Sequence, residues 1–245
     1  MNNLQSKTIA DAHAPAPVRW RRLRVLVACE ESQRVCIAFR ALGHLAFSAD
    51  IQPCRGGHPE WHILGDVTPL LRGLSSFITS DGKAHHLSQF DLIIAHPPCT
   101  YLCKLGAQHL YKNADTYWCD SVTDEVLHVN GDRLHAMKCA ARFFRHCLNA
   151  SAKYVAVENP LPMRLAQLPS PTTYIQPFWF GEKYTKKTLL WLKNLPPLMP
   201  TIEHSHPKQF VRASRGKYRA RTFPGVAAAM ALQWSEYILN DIHAG

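Results

Sequence analysis

The stretch FDLIIAHPPCTYLC, residues 90–103, decides the fold prediction. Its apolar run, 90–95, is typical of a buried strand. Two prolines end the run, because each fixes one backbone φ angle and removes one backbone donor. Cys99 is therefore expected in a stiff, exposed turn at a strand end, a position that suits a nucleophile of defined geometry. The alternative is a buried cysteine that follows a turn.

Apolar runs of the same kind recur on both sides of this stretch and alternate with segments of helical spacing. The predicted strands lie at 23–29, 44–51, 62–67, 90–95, 154–160 and 188–192. Helices are predicted before Gly43, over 132–148, and from Pro224 onward. This alternation predicts an α/β, Rossmann-like fold with a mostly parallel sheet and helices on both faces. The polar stretch 104–130 is predicted to be a loop or lid with some helix.

Length and composition are compatible with one large domain. It is predicted over 23–245, after a flexible basic arm at 1–22, in a chain of 245 residues that is 47% hydrophobic. The sequence has no apolar run of about 18 residues and no signal-like segment. We therefore expect no membrane span, and we expect a cytoplasmic location. The net charge of +10 suits a polyanionic partner such as nucleic acid.

The eight cysteines are expected to stay reduced in that compartment. None forms a C-x-x-C pair, which argues against a structural zinc ribbon. His135 and Cys139 are spaced to share one helix face, but packing explains this pair as well as a metal does. No metal site is therefore predicted.

Polar residues lie at the carboxyl ends of five of the predicted strands. Ligands of parallel α/β sheets bind beyond the carboxyl ends of the strands, so these residues are expected to lie around one site. They are Cys29-Glu30, Asp50, Asp66, His96 to Cys99, and Glu158-Asn159.

Three acidic residues in this set have both a functional and a structural interpretation. Asp50 can accept hydrogen bonds from ribose hydroxyls or cap a turn. Asp66 can contact an adenine amino group or cap a turn, with little to separate the two. Glu158 can deliver a proton if burial raises its pKa, or it can cap a helix. Cys99 needs a basic or helix-terminal environment to become a thiolate, and His96 or a nearby Lys or Arg is a candidate.

With these residues in this order, the chain resembles the cytosine-5 DNA methyltransferase family, most closely its small phage- and prophage-type members. VLVACEESQ and SADI resemble the first two family motifs, and LGDV resembles the third. HPPC resembles the Pro-Cys catalytic motif, and VENP resembles the Glu-Asn motif. FGEKYTKKTLLWL resembles the segment of the Gln-x-Arg-x-Arg motif, and PGVAAAMALQW the C-terminal helix. The resemblance covers roughly residues 23–237.

The resemblance implies methyl transfer from S-adenosylmethionine to C5 of cytosine in DNA. Cys99 would add to C6 while Glu158 protonates or hydrogen-bonds N3, and the cytosine would be flipped out or single-stranded. The residues implied for the cofactor are Glu30, Glu31, Asp50, Ile51, Asp66, Val67 and Pro97. Those implied for the substrate are Pro98, Asn159, Lys186, Thr188, Arg219 and Arg221.

The chain departs from the family in three places. Tyr184, Lys186 and Thr188 stand at the positions of the Gln-x-Arg-x-Arg motif, which contacts the glutamate and the base in the family. CEESQ replaces the glycine-rich first loop, and only about thirty residues separate TLLWL from the last helix, where the family has a target-recognition domain. The chain is therefore expected to recognise little sequence by itself, so a protein partner could supply specificity. Two other functions stay open. One is an amino-methyltransferase acting on N4 of cytosine or N6 of adenine. The other is an inactive nucleic-acid-binding relic of the fold.

Overall fold

The computed structural model describes residues 21–120, 123–202, 211–212 and 221–244. The helices in this part of the chain are α1 (Arg34–Ala41), α2 (Thr68–Leu71), α3 (Gln108–Tyr111), α4 (Gly131–Leu148) and α5 (Pro224–Ala244). The strands are β1 (Arg24–Ala28), β2 (Leu45–Asp50), β3 (His62–Leu64), β4 (Ser76–Ile78), β5 (Ala84–His86), β6 (Leu92–Ala95), β7 (Thr116–Cys119), β8 (Val126–Val129), β9 (Tyr154–Asn159), β10 (Thr173–Ile175), β11 (Tyr184–Thr185), β12 (Thr188–Lys193) and β13 (Val211–Arg212).

Seven of the described strands form the central sheet, in the order β10-β12-β9-β6-β1-β2-β3. The five strands from β9 to β3 are parallel to their neighbours, whereas β12 runs antiparallel to both β9 and β10. The predicted α/β class with a mostly parallel sheet is confirmed. The parallel part has the 3-2-1-4-5 order of doubly wound folds.

Side chains alternate between the two faces of the sheet, and each face is covered by helices. On one face, Leu26, Ile93 and Val155 belong to a buried cluster that includes apolar residues of α2 and α4. On the other, Val27 and Ile94 pack in a cluster with residues of α1 and α5. Because both faces are buried, the central strands are apolar at nearly every position, as expected for parallel strands. The prediction of helices on both faces is thereby confirmed.

Several elements differ from the sequence predictions. The third strand ends at Leu64, because Gly65 has a φ of 148° and turns the chain away. The segment predicted as a loop or lid contains a short helix, α3, and also an antiparallel hairpin of β7 and β8. A second hairpin, β4–β5, and the edge strand β10 were not predicted.

The first described residues contact the end of the sheet at which the parallel strands begin. Arg21 of the predicted arm lies 3.2 Å from Asp91, and Arg22 Nε donates to Gly43 O at 2.6 Å. The rest of the arm, 1–20, lies outside the described residues. Within the part of the chain that the structure describes, no helix is long and apolar enough to cross a bilayer.

Candidate active site

The polar residues at the carboxyl ends of β1, β2, β3, β6 and β9 lie along one end of the sheet, because these five strands are parallel neighbours. Backbone hydrogen bonds connect adjacent strand ends. His96 N donates to Ala28 O at 2.9 Å, and Glu30 N donates to Ala49 O at 3.2 Å. The sequence segments expected to form one site are therefore neighbours in the fold.

The Pro-Pro-Cys turn begins directly after β6. Pro97 is buried, Pro98 is exposed and Cys99 is partly exposed. Cys99 O accepts from Leu102 N at 3.0 Å and from Cys103 N at 2.9 Å, which closes a tight turn after the cysteine. Met163 N donates to Leu102 O at 2.7 Å, so the chain after Cys99 is tied to the chain that follows Glu158.

Asn159 connects the two motifs directly. Its side chain is buried, and Nδ2 donates to Pro97 O at 3.1 Å. Its Oδ1 is buried and has no hydrogen-bond partner among the described residues. Asn159 therefore holds the Pro-Pro turn against β9 and leaves one buried acceptor at the site.

Glu158 lies between two cationic groups. Its Oε2 is 2.9 Å from His96 Nδ1, and its Oε1 is 3.8 Å from Lys186 Nζ. All three side chains are nearly buried, with about a tenth of each exposed. His96 Nε2 is also buried and has no hydrogen-bond partner in the described chain. The arrangement is a buried ion triad with one unused ring nitrogen.

The triad overturns the expectation that burial raises the pKa of Glu158. Burial alone acts in that direction, but the charge of Lys186 and the hydrogen bond from His96 outweigh it and lower the pKa to about 2. For His96, burial lowers the pKa, but the hydrogen bond and charge of Glu158 outweigh it and raise the pKa. At neutral pH Glu158 is therefore ionised, and protonation of His96 is favoured.

Cys99 is in a less activating environment than the sequence analysis required. Burial and, to a smaller extent, the neighbouring Cys103 and Glu158 together raise the pKa of its thiol to about 11, and Lys186 acts in the opposite direction. The thiol is therefore protonated at neutral pH in the free protein. Its proton must leave as the sulfur reacts.

Alkylation of Cys99 by iodoacetamide is expected to accelerate roughly tenfold per pH unit from pH 7 to 10, because only the thiolate reacts. Peptide mass spectrometry of briefly treated native protein measures the rate at this residue. Cys147, which is fully buried, is the control and should stay unmodified throughout. A Cys99 rate that is constant above pH 8 would show that the thiol is already ionised.

The loop after β1 is held by its own acidic residues. Glu30 is buried, and its Oε1 and Oε2 accept from the first amides of α1, Val35 N at 2.7 Å and Cys36 N at 3.2 Å. Burial raises its pKa to about 7, although the charge of His96 and these two hydrogen bonds act against the rise. Glu31 Oε2 lies 3.6 Å from Arg55 Nε. Glu30 therefore caps α1 in place of a glycine-rich loop.

The residues implied for the cofactor at the ends of β2 and β3 differ in their exposure and in their contacts. Asp50 Oδ1 accepts from Gln52 N at 2.9 Å, and Ile51 beside it is 78% exposed. Asp66 is exposed and accepts from Thr68 N at 2.9 Å, which lowers its pKa, while Val67 is buried in the core. The turn-capping interpretation of Asp66 is present in the structure. Ile51 offers an apolar side chain next to a carboxylate.

Among the residues predicted for the substrate, Lys186 lies at the Glu158 carboxylate. Thr188 is buried, and its hydroxyl donates to Lys186 O at 3.1 Å, so it shapes the turn before β12. Arg221 is partly buried at the start of the segment that leads to α5. Arg219 lies outside the described residues.

Sequence reasoning considered His96 only as a helper of Cys99 and did not predict its contact with Glu158. The two residues are 62 positions apart. The available signal was that both end neighbouring parallel strands, since β6 pairs with β9. A titratable residue directly before Pro-Pro was therefore a candidate partner for a carboxylate at the adjacent strand end.

Comparison with known proteins returns no matching family model and no match among curated proteins. Among solved structures, the chain is similar to a candidate DNA modification methyltransferase encoded within a prophage of E. coli. The identity is 12% and the TM-score is 0.41, over 74% of this chain and 51% of that chain. The chain thus spans about half the length of that protein.

Proposed function

We propose that the chain is an S-adenosylmethionine-dependent methyltransferase that methylates C5 of cytosine in DNA through a transient bond to Cys99. The observation that carries the proposal is the placement of Cys99 and of the Glu158 triad at the ends of two adjacent strands, joined by Asn159. The sheet also supports it. Counted within the sheet, the strands run 3-2-1-4-5-7-6 with the seventh reversed, so the parallel part has the doubly wound order in which ligands bind beyond the carboxyl ends of the strands.

In the proposed reaction, the thiol of Cys99 loses its proton as the sulfur adds to C6 of cytosine. Glu158 contacts the N3 edge of the ring. Because Glu158 is ionised at rest, the proton that N3 takes up must come from another group, and His96, the acid in contact with the carboxylate, can supply it through Glu158. After methylation a base such as solvent water takes the C5 proton, the Cys99–C6 bond breaks to release the thiolate, and N3 gives back the proton that it took up.

The end of the sheet at which the cofactor is proposed to bind has side chains that suit an adenosine group. Asp50 presents a carboxylate at the end of β2, which suits ribose hydroxyls, and the exposed Ile51 suits one face of an adenine ring. When bound, S-adenosylmethionine supplies the electrophilic methyl group. The residues that would hold it are those of the β1 loop with Asp50, Ile51, Asp66 and Pro97, whereas Val67 lies in the core beneath them.

DNA is proposed as the substrate because of the motif resemblance and the net charge of +10. Pro98 is exposed beside Cys99 and is proposed to contact the base. Arg219 and Arg221 are proposed to neutralise phosphates. Without a target-recognition domain, sequence choice is proposed to come from a protein partner.

The test is transfer from labelled S-adenosylmethionine to duplex DNA, single-stranded DNA, RNA and deoxycytidine monophosphate in parallel. Digestion and nucleoside analysis are expected to show the label in 5-methylcytosine from DNA. Label on an exocyclic nitrogen would replace the proposal by the amino-methyltransferase. Absence of transfer, together with absence of cofactor binding by calorimetry, would replace it by the nucleic-acid-binding relic.

A further inference from the structure

A surface cavity of about 380 Å³, wide open to solvent, lies beside the turn that carries Cys99, where α3 and the first turn of α4 meet. Its lining combines an aromatic ring, three basic side chains and one carboxylate. These residues are Tyr101, His109, Lys112, Arg133 and Asp132. None of them is among the residues that the resemblance implies for cofactor or substrate. The lysine and the arginine outweigh the single carboxylate, so the wall is positively charged.

Arg133 is held in a fixed position between the cavity and the Cys99 turn. Its Nη2 donates to Thr100 O at 2.7 Å, and its guanidinium carbon lies 4.3 Å from the centre of the Tyr101 ring. Gly106 makes this approach possible, because a Cβ there would lie 2.9 Å from Thr100 O and 3.1 Å from Arg133 Nη2. The site is thus built into the turn that follows the proposed nucleophile.

One donor of this arginine is unused. Arg133 Nε is buried and has no hydrogen-bond partner within the described ranges. Asn130 does not reach it: its Oδ1 accepts from the Arg133 backbone N at 2.8 Å, and its Nδ2 donates to Asn113 O at 3.1 Å. A buried charged donor without an acceptor is costly, which points to an anionic or carbonyl ligand that supplies one.

We propose that this cavity binds one nucleotide of a DNA strand, next to the target cytosine. The inference rests on the proposed function in that it takes DNA as the substrate. Lys112, His109 and Arg133 would contact the phosphate, and an unstacked base would lie on the Tyr101 ring, which is 37% exposed. Such contacts add affinity without recognising sequence, which fits a chain in which only about thirty residues separate TLLWL from α5.

The test is the affinity of the full-length protein for a fluorescent single-stranded oligonucleotide with one cytosine, followed by anisotropy over a range of salt concentrations. Lys112→Gln is expected to weaken binding about tenfold and to lower the slope of log Kd against log salt by about one. Tyr101→Ala is expected to weaken binding about tenfold without changing the slope. Lys138→Gln is the matched control, because Lys138 is exposed on α4 and does not line the cavity. Thermal melting of each variant checks folding.

The outcomes separate this inference from the proposed function, because binding is measured without cofactor or methyl transfer. Wild-type affinity in Lys112→Gln and Tyr101→Ala overturns the inference, even if the enzyme methylates DNA. An equal loss of affinity in Lys138→Gln also overturns it, since the attraction to DNA would then come from the general positive charge of the surface and not from the cavity. Loss confined to the two cavity variants supports it, even in a protein that transfers no methyl group.

Discussion

Cys99→Ser is expected to reduce methyl transfer to cytosine by at least about 10³-fold, because the proposed reaction forms a covalent bond from this sulfur to C6. A serine hydroxyl is a much weaker nucleophile than a thiol of nearly the same size. Cys99 is partly exposed at the surface of a turn, so the substitution should leave folding intact. The measurement is the initial rate of label transfer by wild type and variant under identical conditions.

The control for this variant is Cys139→Ser, an exposed cysteine on α4. It should transfer at the wild-type rate. DNA carrying 5-fluorocytosine tests the same bond directly, since a fluorine at C5 cannot leave as a proton and the adduct should persist. Wild type should then form a complex that survives a denaturing gel, and Cys99→Ser should not. A Cys99→Ser protein that methylates normally would show that the cysteine is not the nucleophile.

Much of the sheet could be predicted because β1, β2, β6 and β9 are buried on both faces and therefore stand out as continuous apolar runs. Because of the same property, the sequence does not indicate whether a strand pairs in parallel or antiparallel with its neighbour. TLLWL is equally apolar whichever way it runs, so its antiparallel pairing with β9 was not predictable from composition. The β7–β8 hairpin was missed because its strands are short and mostly exposed, and they have no continuous apolar run.

The candidate site likewise has features that the sequence predicted and features that it did not. The end of a strand is visible in the local sequence. The sequence therefore predicted that Asp50, Cys99 and Glu158 lie at strand ends. Their ionisation depends on partners brought together by the fold. Burial of Glu158 was expected from the sequence, but the two cations that reverse its effect come from β6 and from the turn before β12. The predicted sign of the pKa shift was therefore wrong.

The triad also gives Lys186 a role that a substrate contact alone does not. A buried carboxylate is tolerated only when it is paired, and removal of one partner leaves an uncompensated charge. Lys186 is thus a positioning residue for Glu158, held in turn by Gln176 Oε1, which accepts from the Lys186 backbone N at 3.0 Å. In this chain a lysine and a histidine make the charged contacts with the Glu158 carboxylate.

Glu158→Gln is expected to reduce transfer by about 10³-fold, because the amide can hydrogen-bond N3 but cannot carry a proton to it. It should also change how stability depends on pH. The folded pKa of Glu158, about 2, lies below its ordinary value of 4.5, so its contribution is present above pH 4.5 and is lost as pH falls towards 2. That contribution is about 3 kcal/mol. Urea unfolding at pH 3 to 6 should therefore show a steeper loss of stability in wild type than in Glu158→Gln.

The matched control is Glu236→Gln, an exposed carboxylate on α5, which should keep both the wild-type rate and the wild-type pH dependence. The two readouts distinguish catalysis from packing, because a merely structural carboxylate would change the stability profile and leave the rate per folded molecule unaltered. A Glu158→Gln protein that makes 5-methylcytosine at the wild-type rate would remove Glu158 from the reaction. If stability falls equally steeply in both proteins at low pH, the ion triad does not hold the carboxylate ionised, and the acid step must be assigned to another group.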